Sequence, residues 1–380
     1  MTTLPAMSDR SVARMSEPHG SSDLGAFERS CLRLSAHVGR WARWEFWPSW
    51  ILYALLCPHF VRLAVKHRSL TAFTAANPGI PLGGLVGESK WGILSQLPQG
   101  AIVPTAVIEQ GSIQDRCAEL TRIMNSRQWS FPLILKPDVG ERGSGVRLVR
   151  SAQAALEYFE KHAERVLAQV YHPGPFEAGV FYVRLPSKKC GRIFSITDKV
   201  PPRATGDGRS SLETLIWRHP RLRLQASVFL DRLGAEAQRV PQAGEDVLLA
   251  VAGNHCQGTM FFDGDRLVTP ALARAIDRIA GATPGFCFGR FDIRYESAEE
   301  FKAGRGFRVI ELNGVLSEST NIYDPAFGLF HGLGVLAQQW ALAFQIGSEN
   351  AARGARRATV REVLREVIQH RARGGDRKSD

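Results

Sequence analysis

The chain has 380 residues, 44% of them hydrophobic and 22% charged, and a formal net charge of +11. That is a globular composition, long enough for two or three lobes packed as one body, so a wholly disordered or fibrous chain is excluded. Arg353 to Asp380 holds nine Arg or Lys and four acids, a net +5. This tail lacks interleaved aromatics and any binding module, so no nucleic-acid partner is expected; it reads as a solvated helix face, with contact to an acidic surface as the alternative.

The cysteines at 31, 57, 117, 190, 256 and 287 are scattered and no two form a CxxC. Without a secretory signal, reduced thiols and a cytoplasmic location are expected. Residues 1–40 are rich in Ser, Ala, Arg and Met and show no clear period, so they are expected to be a disordered tail. Phe46 to Arg68 is strongly apolar with Trp at its front, but Pro58, His59 and Arg62 interrupt it. A buried helix or helical hairpin, an interfacial anchor making peripheral membrane contact, and a true span are all left open.

Ser69 to Ala75 reads as a short strand or helix end, and Asn77 to Gly84 as turn material. Ser89 opens an amphipathic helix carrying Trp91, Ile93, Leu94 and Leu97. The order GESK is not a P-loop, because the lysine neither follows a glycine directly nor precedes the serine. It is either a plain strand–turn–helix joint or a place where Glu88, Ser89 and Lys90 face a substrate. Residues 41–110 thus form an N-terminal region ahead of the main lobes.

From there short strands and helices alternate, an α+β texture. Strands are expected at 103–107, 131–136, 145–149 and 166–171, with helices at 112–124 and 152–163, the second capped by Ser151. Strands follow at 179–184 and 192–199, then a loop PPRATGDGRS and helices at 211–217 and 222–239. Short strands at 248–256 and 259–262, a helix at 270–280 and strands at 288–295 and 306–312 come next. Helices at 330–346 and 359–370 end the chain. The lobes divide as 111–175, 176–330 and a C-terminal segment 331–380. Arg203 and Arg209 either bind an acidic substrate or are solvated. Asn254 and His255 are the best histidine candidate for a site, with a satisfied structural group as the alternative.

FPLILKPDVGERGSGVRLVR, Phe131 to Arg150, is a strand ending in Lys136, a loop with Gly140, Gly143 and Gly145, and a second strand. Such a loop is either a plain β-turn or a cradle whose backbone N–H groups meet phosphate oxygens, with the lysine as a point charge. Downstream, GRFDIRY at 289–295 puts Arg290 and Asp292 on one strand face, and VIELNGV at 309–315 does the same for Glu311 and Asn313. If the strands are neighbours, Asp292, Glu311 and Asn313 form a hard-oxygen set suited to Mg²⁺, with Mn²⁺ as the alternative.

A lysine strand, a glycine loop, a hinge strand, a second lysine strand, an Asp strand and a Glu-x-Asn strand, over roughly Leu133 to Asp324, resemble the ATP-grasp fold. Within that superfamily they look like the D-alanine–D-alanine ligase-like carboxylate–amine ligases. The resemblance implies two α+β lobes clasping ATP, preceded by a pre-ATP-grasp region and followed by C-terminal helices. It implies that Lys136 and Lys199 hold phosphates and that Gly143, Ser144 and Gly145 close over the γ-phosphate. Gln169 would face the adenine amine and Glu177 the ribose hydroxyls; Asp292, Glu311 and Asn313 would hold Mg²⁺, and Arg290 would stabilise an oxyanion, the alternative for Arg290 being a structural ion-pair partner of Asp292 or Glu311. The activity implied is activation of a carboxylate as an acyl phosphate and its joining to an amine, with ADP and phosphate released.

The alternatives on the same fold are a small-molecule kinase and a nucleotide-binding module without turnover. Ser317, Ser319 and Thr320, in the loop after Asn313, are expected to line the acceptor pocket. Asp292→Asn and Glu311→Gln are expected to abolish Mg-dependent turnover while leaving the fold intact. The acid, the amine and the oligomeric state are not specified; a homo-oligomer is one alternative.

Overall fold

The computed structural model describes residues 24–140, 143–250, 253 and 258–374. The described residues open with α1 (Ala26–Ala42), a 3-10 turn at Trp44–Phe46, α2 (Ser49–Leu55), α3 (Cys57–His67) and the short α4 (Lys90–Leu94). The expected disorder is therefore corrected from Ala26 onward. Leu24 and Ala36 are buried with Leu212, Ile216, Trp217 and Phe229, an apolar contact that a composition count does not register. The Phe46–Arg68 segment is a pair of helices broken at Leu56. Pro58 starts the second, where its missing N–H costs nothing, and Arg68 ends it in the left-handed conformation. No helix among the described residues is long and apolar enough to cross a membrane. Ser69–Ala75 ends in a 3-10 turn at Ala72–Ala75 rather than a strand.

The central lobe runs through β1 (Thr105–Ile108), α5 (Ile113–Arg127), β2 (Leu133–Pro137), β3 (Arg147–Val149), α6 (Ala152–Lys161) and β4 (Val166–Val170). Ser112 and Ser151 cap the two helices by accepting from the amides of Asp115 and Ala154. The strands form an antiparallel sheet in the order β1-β4-β2-β3, and α5 and α6 bury Leu120, Ile123, Tyr158 and Phe159 against it. Because β1 pairs with β4, this lobe begins near Thr105 and not at residue 111.

The second lobe contains β5 (Phe176–Val183), β6 (Arg192–Val200), β7 (Arg203–Thr205), α7 (Leu212–Arg218), α8 (Ala226–Leu233), β8 (Asp246–Leu248), β9 (Met260–Asp263), α9 (Pro270–Ala282), β10 (Phe288–Tyr295), α10 (Ala298–Lys302) and β11 (Phe307–Asn313). Its main antiparallel sheet has the order β11-β10-β5-β6-β9. The side facing α9 carries Ala178, Val180, Tyr182, Phe291 and Ile293, all fully buried. β7 and β8 make a separate two-stranded ribbon. That ribbon revises one expectation and adds to another: PPRATGDGRS contains a strand, and the strand expected at 248–256 has its described start in β8, at Asp246–Leu248, while residues 251, 252 and 254–256 lie outside the described residues. The helix expected over 222–239 is α8 flanked by two 3-10 turns.

The chain continues through α11 (Leu329–Ala352) and α12 (Val360–Gly374). α11 presses so closely on the 3-10 turn at Ala72–Ala75 that a Cβ at Gly347 would lie 1.9 Å from the Ala72 carbonyl oxygen. Only glycine fits there, and the contact ties the N-terminal region to the C-terminal helix. The five cysteines among the described residues are free.

Candidate active site

Strand alternation assembles the floor of the site. Opposite the α9 side, the same sheet shows Glu177 from β5, Lys199 from β6, Arg290, Asp292 and Arg294 from β10, and Glu311 and Asn313 from β11. The register sets their neighbours: Asp292 stands across from Glu311, Arg290 from Asn313, and Glu177 from both Lys199 and Arg294. Gly179 is opposite Asp292, and a Cβ there would meet the Arg290 side chain at 3.0 Å. Its missing side chain leaves the lane along which Arg290 reaches Asp292.

The floor is a buried charge network. Lys199 Nζ donates to Glu177 Oε1 and to Asp292 Oδ1, both at 2.9 Å. Arg290 donates through Nε to Asp292 Oδ1 at 3.0 Å and through Nη1 to the Glu318 carbonyl at 2.9 Å. Asn313 Nδ2 donates to Asp292 Oδ2 at 3.2 Å, and Arg294 Nε to Glu177 Oε2 at 3.3 Å. Burial alone would raise the Asp292 pKa, but Arg290 and Lys199 hold it down at about 2, so the carboxylate stays ionised. Burial works against the Lys199 ammonium, yet Asp292 and Glu177 raise its pKa above the usual lysine value.

The central lobe supplies the roof. Lys136 is buried at the end of β2, where Nζ donates to the Ile310 carbonyl at 3.1 Å and to Gln169 Oε1 at 3.3 Å. Gln169 Nε2 donates to Thr105 Oγ1 and to the same Ile310 carbonyl. Burial lowers the Lys136 pKa, against the pull of Glu311. Gly143 and Gly145 take positive φ in the β2–β3 loop, which closes the hairpin over the cleft. Gly140, Gly143 and Ser144 line the cleft; Gly145 packs behind them on Pro137 and accepts from the Tyr158 hydroxyl.

One cavity of about 780 Å³ joins roof and floor, within the ~300–1,000 Å³ typical of small-molecule sites. It brings together Lys136, Gly143, Ser144, Gln169, Glu177, Lys199, Arg290, Asp292, Glu311 and Asn313, each a residue singled out in the sequence. Glu88 and Lys90 also line it, whereas Ser89 caps α4 and donates to Asp138. Ser317 and Thr320 reach the lining, but their hydroxyls are engaged with Gly314 and Thr197, and the Ser319 hydroxyl with Ser195. Arg203 makes an exposed ion pair with Asp246 away from the cleft, and Arg209 is likewise not among its lining residues. Asn254 and His255 lie outside the described residues.

One wall was missed in the sequence. Phe46, Trp47 and Tyr53, from the segment between α1 and α3, line the same cavity. Tyr53 and Tyr323 donate their hydroxyls to opposite oxygens of Glu318, each at 3.0 Å. Burial, and then Glu318, raises the Tyr53 pKa, so the phenol stays protonated. This carboxylate sits in the loop after Asn313, at the residue whose backbone carbonyl receives Arg290. Only the long-range pairing of residues 53 and 318 reveals it, and no local motif signals such a contact.

The donor set fits a hard divalent cation. Asp292 and Glu311 are cross-strand neighbours, and Asn313 is the next residue on that face. Among the described residues no cluster of three or more His, Cys, Asp or Glu side chains forms a metal site; this set is two carboxylates and an amide.

No protein-family model matches the sequence, and comparison with curated proteins finds no match. Among solved structures the chain is similar to a bifunctional glutathione synthetase from Pasteurella multocida, at 17% identity and a TM-score of 0.35, over 65% of this chain and 36% of that one. It is similar to the D-cycloserine synthetase DcsG at 13% identity and a TM-score of 0.38, over 66% and 69%. It is also similar to a D-alanine-D-alanine ligase from Coxiella burnetii at 10% identity and a TM-score of 0.37, over 75% and 61%. The chain thus spans little more than a third of the first of these proteins, and the chemistry of the cleft is argued from its own residues.

Proposed function

We propose that the chain is an ATP-grasp enzyme that uses Mg-ATP to activate a carboxylate as an acyl phosphate and joins it to an amine. The observation that carries this reading is the meeting, in one cleft, of Lys136 from the roof with Lys199, Arg290, Asp292, Glu311 and Asn313 from the floor. The lining as a whole holds six Lys or Arg and six Asp or Glu. A bare polyphosphate gains little net attraction from so balanced a surface. A phosphate chain that arrives with its own divalent cations suits it better, with the cations facing the carboxylates and the phosphates facing the lysines.

In this reading Lys136 and Lys199 neutralise the phosphates, and Gln169 and Glu177 face the adenosine end. Asp292, Glu311 and Asn313 would hold Mg²⁺, which when bound draws charge from the transferring phosphoryl group. The substrate carboxylate oxygen attacks the γ-phosphorus, the bond to the β-phosphate oxygen breaks, and ADP leaves. The amine nitrogen then attacks the acyl carbonyl. The Arg290 guanidinium, anchored by Asp292 and the Glu318 backbone, faces the oxyanion that forms. Collapse expels phosphate, the nitrogen loses a proton, and an amide remains. In this reading the Glu318 carboxylate, oriented by Tyr53 and Tyr323, holds the incoming ammonium, which gives up one proton to solvent to free its lone pair before the nitrogen attacks.

The test is coupled measurement of ADP and phosphate release over a matrix of small carboxylic acids and amines. Release that requires both an acid and an amine supports the ligase. ADP formation with an alcohol alone, without free phosphate, makes the protein a kinase instead.

A further inference from the structure

The helices that wall the cleft also carry an apolar face pointing the other way. On α2 and α3 and at the break between them, Leu52, Leu63 and Leu56 are buried, whereas Trp50 is 68% and Val65 73% exposed, with Leu55 and Val61 exposed as well. The positions 50, 54, 57–58, 61 and 65 recur at helical spacing, so the exposed residues form one stripe across the break at Leu56. A second stripe, Phe27, Leu34, Val38 and Trp41, runs along the outside of α1. Trp47, between the two stripes in sequence, ties their helices together: its indole donates to the Trp41 carbonyl at 2.8 Å. Exposed side chains of this size and continuity call for an occupant.

Charge selects the occupant. Arg62, Lys66 and Arg68 are exposed beside the α3 stripe, and no Asp or Glu occurs between Glu45 and Glu88. A second copy of the chain, seated on this face by two-fold symmetry, would bring the same acid-free segment and so no carboxylate of its own to these cations. An anionic lipid surface meets both the cations and the apolar row, and tryptophan favours the boundary between headgroups and acyl chains. We propose that the outer face of α2 and α3, continued by α1, docks the protein on anionic membrane surfaces. Docking is by the interface, since no described helix can span. Trp47 and Tyr53, on the inner side of the same segment, line the cleft, so the docked lipid lies one helix away from the substrate. This inference stands whether or not the ligase reading holds.

The test is sedimentation of the full chain with vesicles of phosphatidylcholine alone or mixed with phosphatidylserine. The expected result is pelleting with the anionic vesicles that weakens with salt. The double variant Trp50→Ser/Val65→Ser should bind about tenfold more weakly, as loss of two apolar contacts implies. Arg62→Glu/Lys66→Glu should lose the preference for phosphatidylserine. All of these positions are exposed, and an unchanged melting temperature should show that each variant folds. Recovery in the supernatant with both vesicles overturns the proposal. So does a lipid-free dimer, seen by sedimentation velocity, that Trp50→Ser/Val65→Ser converts to monomer, because the stripe then serves a second copy.

Discussion

Lys199 and Asp292 form a buried ion pair at 2.9 Å, and neither residue is more than 5% exposed. Glu177 and Arg290 extend the pair, so the floor is a load of charge that must be matched side chain by side chain. Removing one member strands the others. Asp292→Asn should therefore cost about 3–5 kcal/mol of stability, the usual penalty for leaving a buried charge uncompensated. This revises the sequence-based expectation that the variant keeps its fold intact. The double variant Asp292→Asn/Lys199→Met should be less destabilised than Asp292→Asn alone, because it removes a stranded cation. Urea titration of the three proteins checks this; equal midpoints for wild type and Asp292→Asn would show that the network contributes nothing.

Glu311→Gln is the cleaner probe of the chemistry. Glu311 is only half-buried and lies across from Asp292 on the neighbouring strand. Its amide analogue keeps the shape and removes a charge that a divalent cation would need. Mg-dependent ADP release should fall by at least about 100-fold, within the range seen when metal-site partners are lost. The unfolding free energy from urea titration should stay within about 0.5 kcal/mol of wild type. Wild-type turnover in this variant would remove Glu311 from the site.

The acid limb of stability follows from Asp292. Its pKa in the folded chain is about 2 against an ordinary value of 3.8. A depressed carboxylate stabilises the folded state fully above the higher value, and that contribution disappears as pH falls through the lower one. The gap corresponds to about 2 kcal/mol. Between pH 3.8 and about 2, wild type should lose stability more steeply than Asp292→Asn. Parallel slopes would mean that other carboxylates govern acid unfolding.

Much of this site was legible in the sequence, because alternation along a strand is a local property. Once Arg290 and Asp292 are on one strand and Glu311 and Asn313 on the next, the pleat puts all four on one face. The glycine loop was legible for the same kind of reason, since Gly143 and Gly145 mark positive φ. What escaped was long-range. The order in α1 depends on Trp217 and Phe229, nearly two hundred residues away. The Tyr53–Glu318 contact spans 265 positions. The β7–β8 ribbon joins PPRATGDGRS, which looks like loop, to the start of a segment more than forty positions on. Nothing in the local spelling of any of these encodes its partner.

Glu318 offers a prediction about the second substrate. Its carboxylate is fixed by Tyr53 and Tyr323, while its backbone carbonyl receives Arg290. A role in holding an ammonium predicts that Glu318→Gln raises the KM for the amine by about 10- to 100-fold, as loss of one charge-assisted hydrogen bond implies. The KM for ATP should not change. Tyr53→Phe removes one of the two phenols and should give a smaller rise in the same constant. Steady-state kinetics with the amine varied at saturating ATP separate the outcomes. A shift in the ATP constant alone would place Glu318 in the nucleotide half of the cleft.

The last prediction concerns Lys136. Burial lowers its pKa, so in the empty protein the ammonium gives up its proton below the usual lysine range. Phosphate binding favours the charged form. Affinity for ATP should therefore weaken as pH rises through that lowered value, earlier than an ordinary lysine at 10.5 would allow. Lys136→Arg keeps its charge throughout this range, because arginine does not deprotonate in proteins. Its affinity should be lower at neutral pH, since the fork does not fit the Gln169 and Ile310 carbonyl oxygens that receive Nζ, but it should be flat with pH. Calorimetric titration of ATP from neutral to alkaline pH, on both proteins, reads the difference directly. A wild-type curve as flat as the arginine variant's would show that Lys136 carries no part of the phosphate charge.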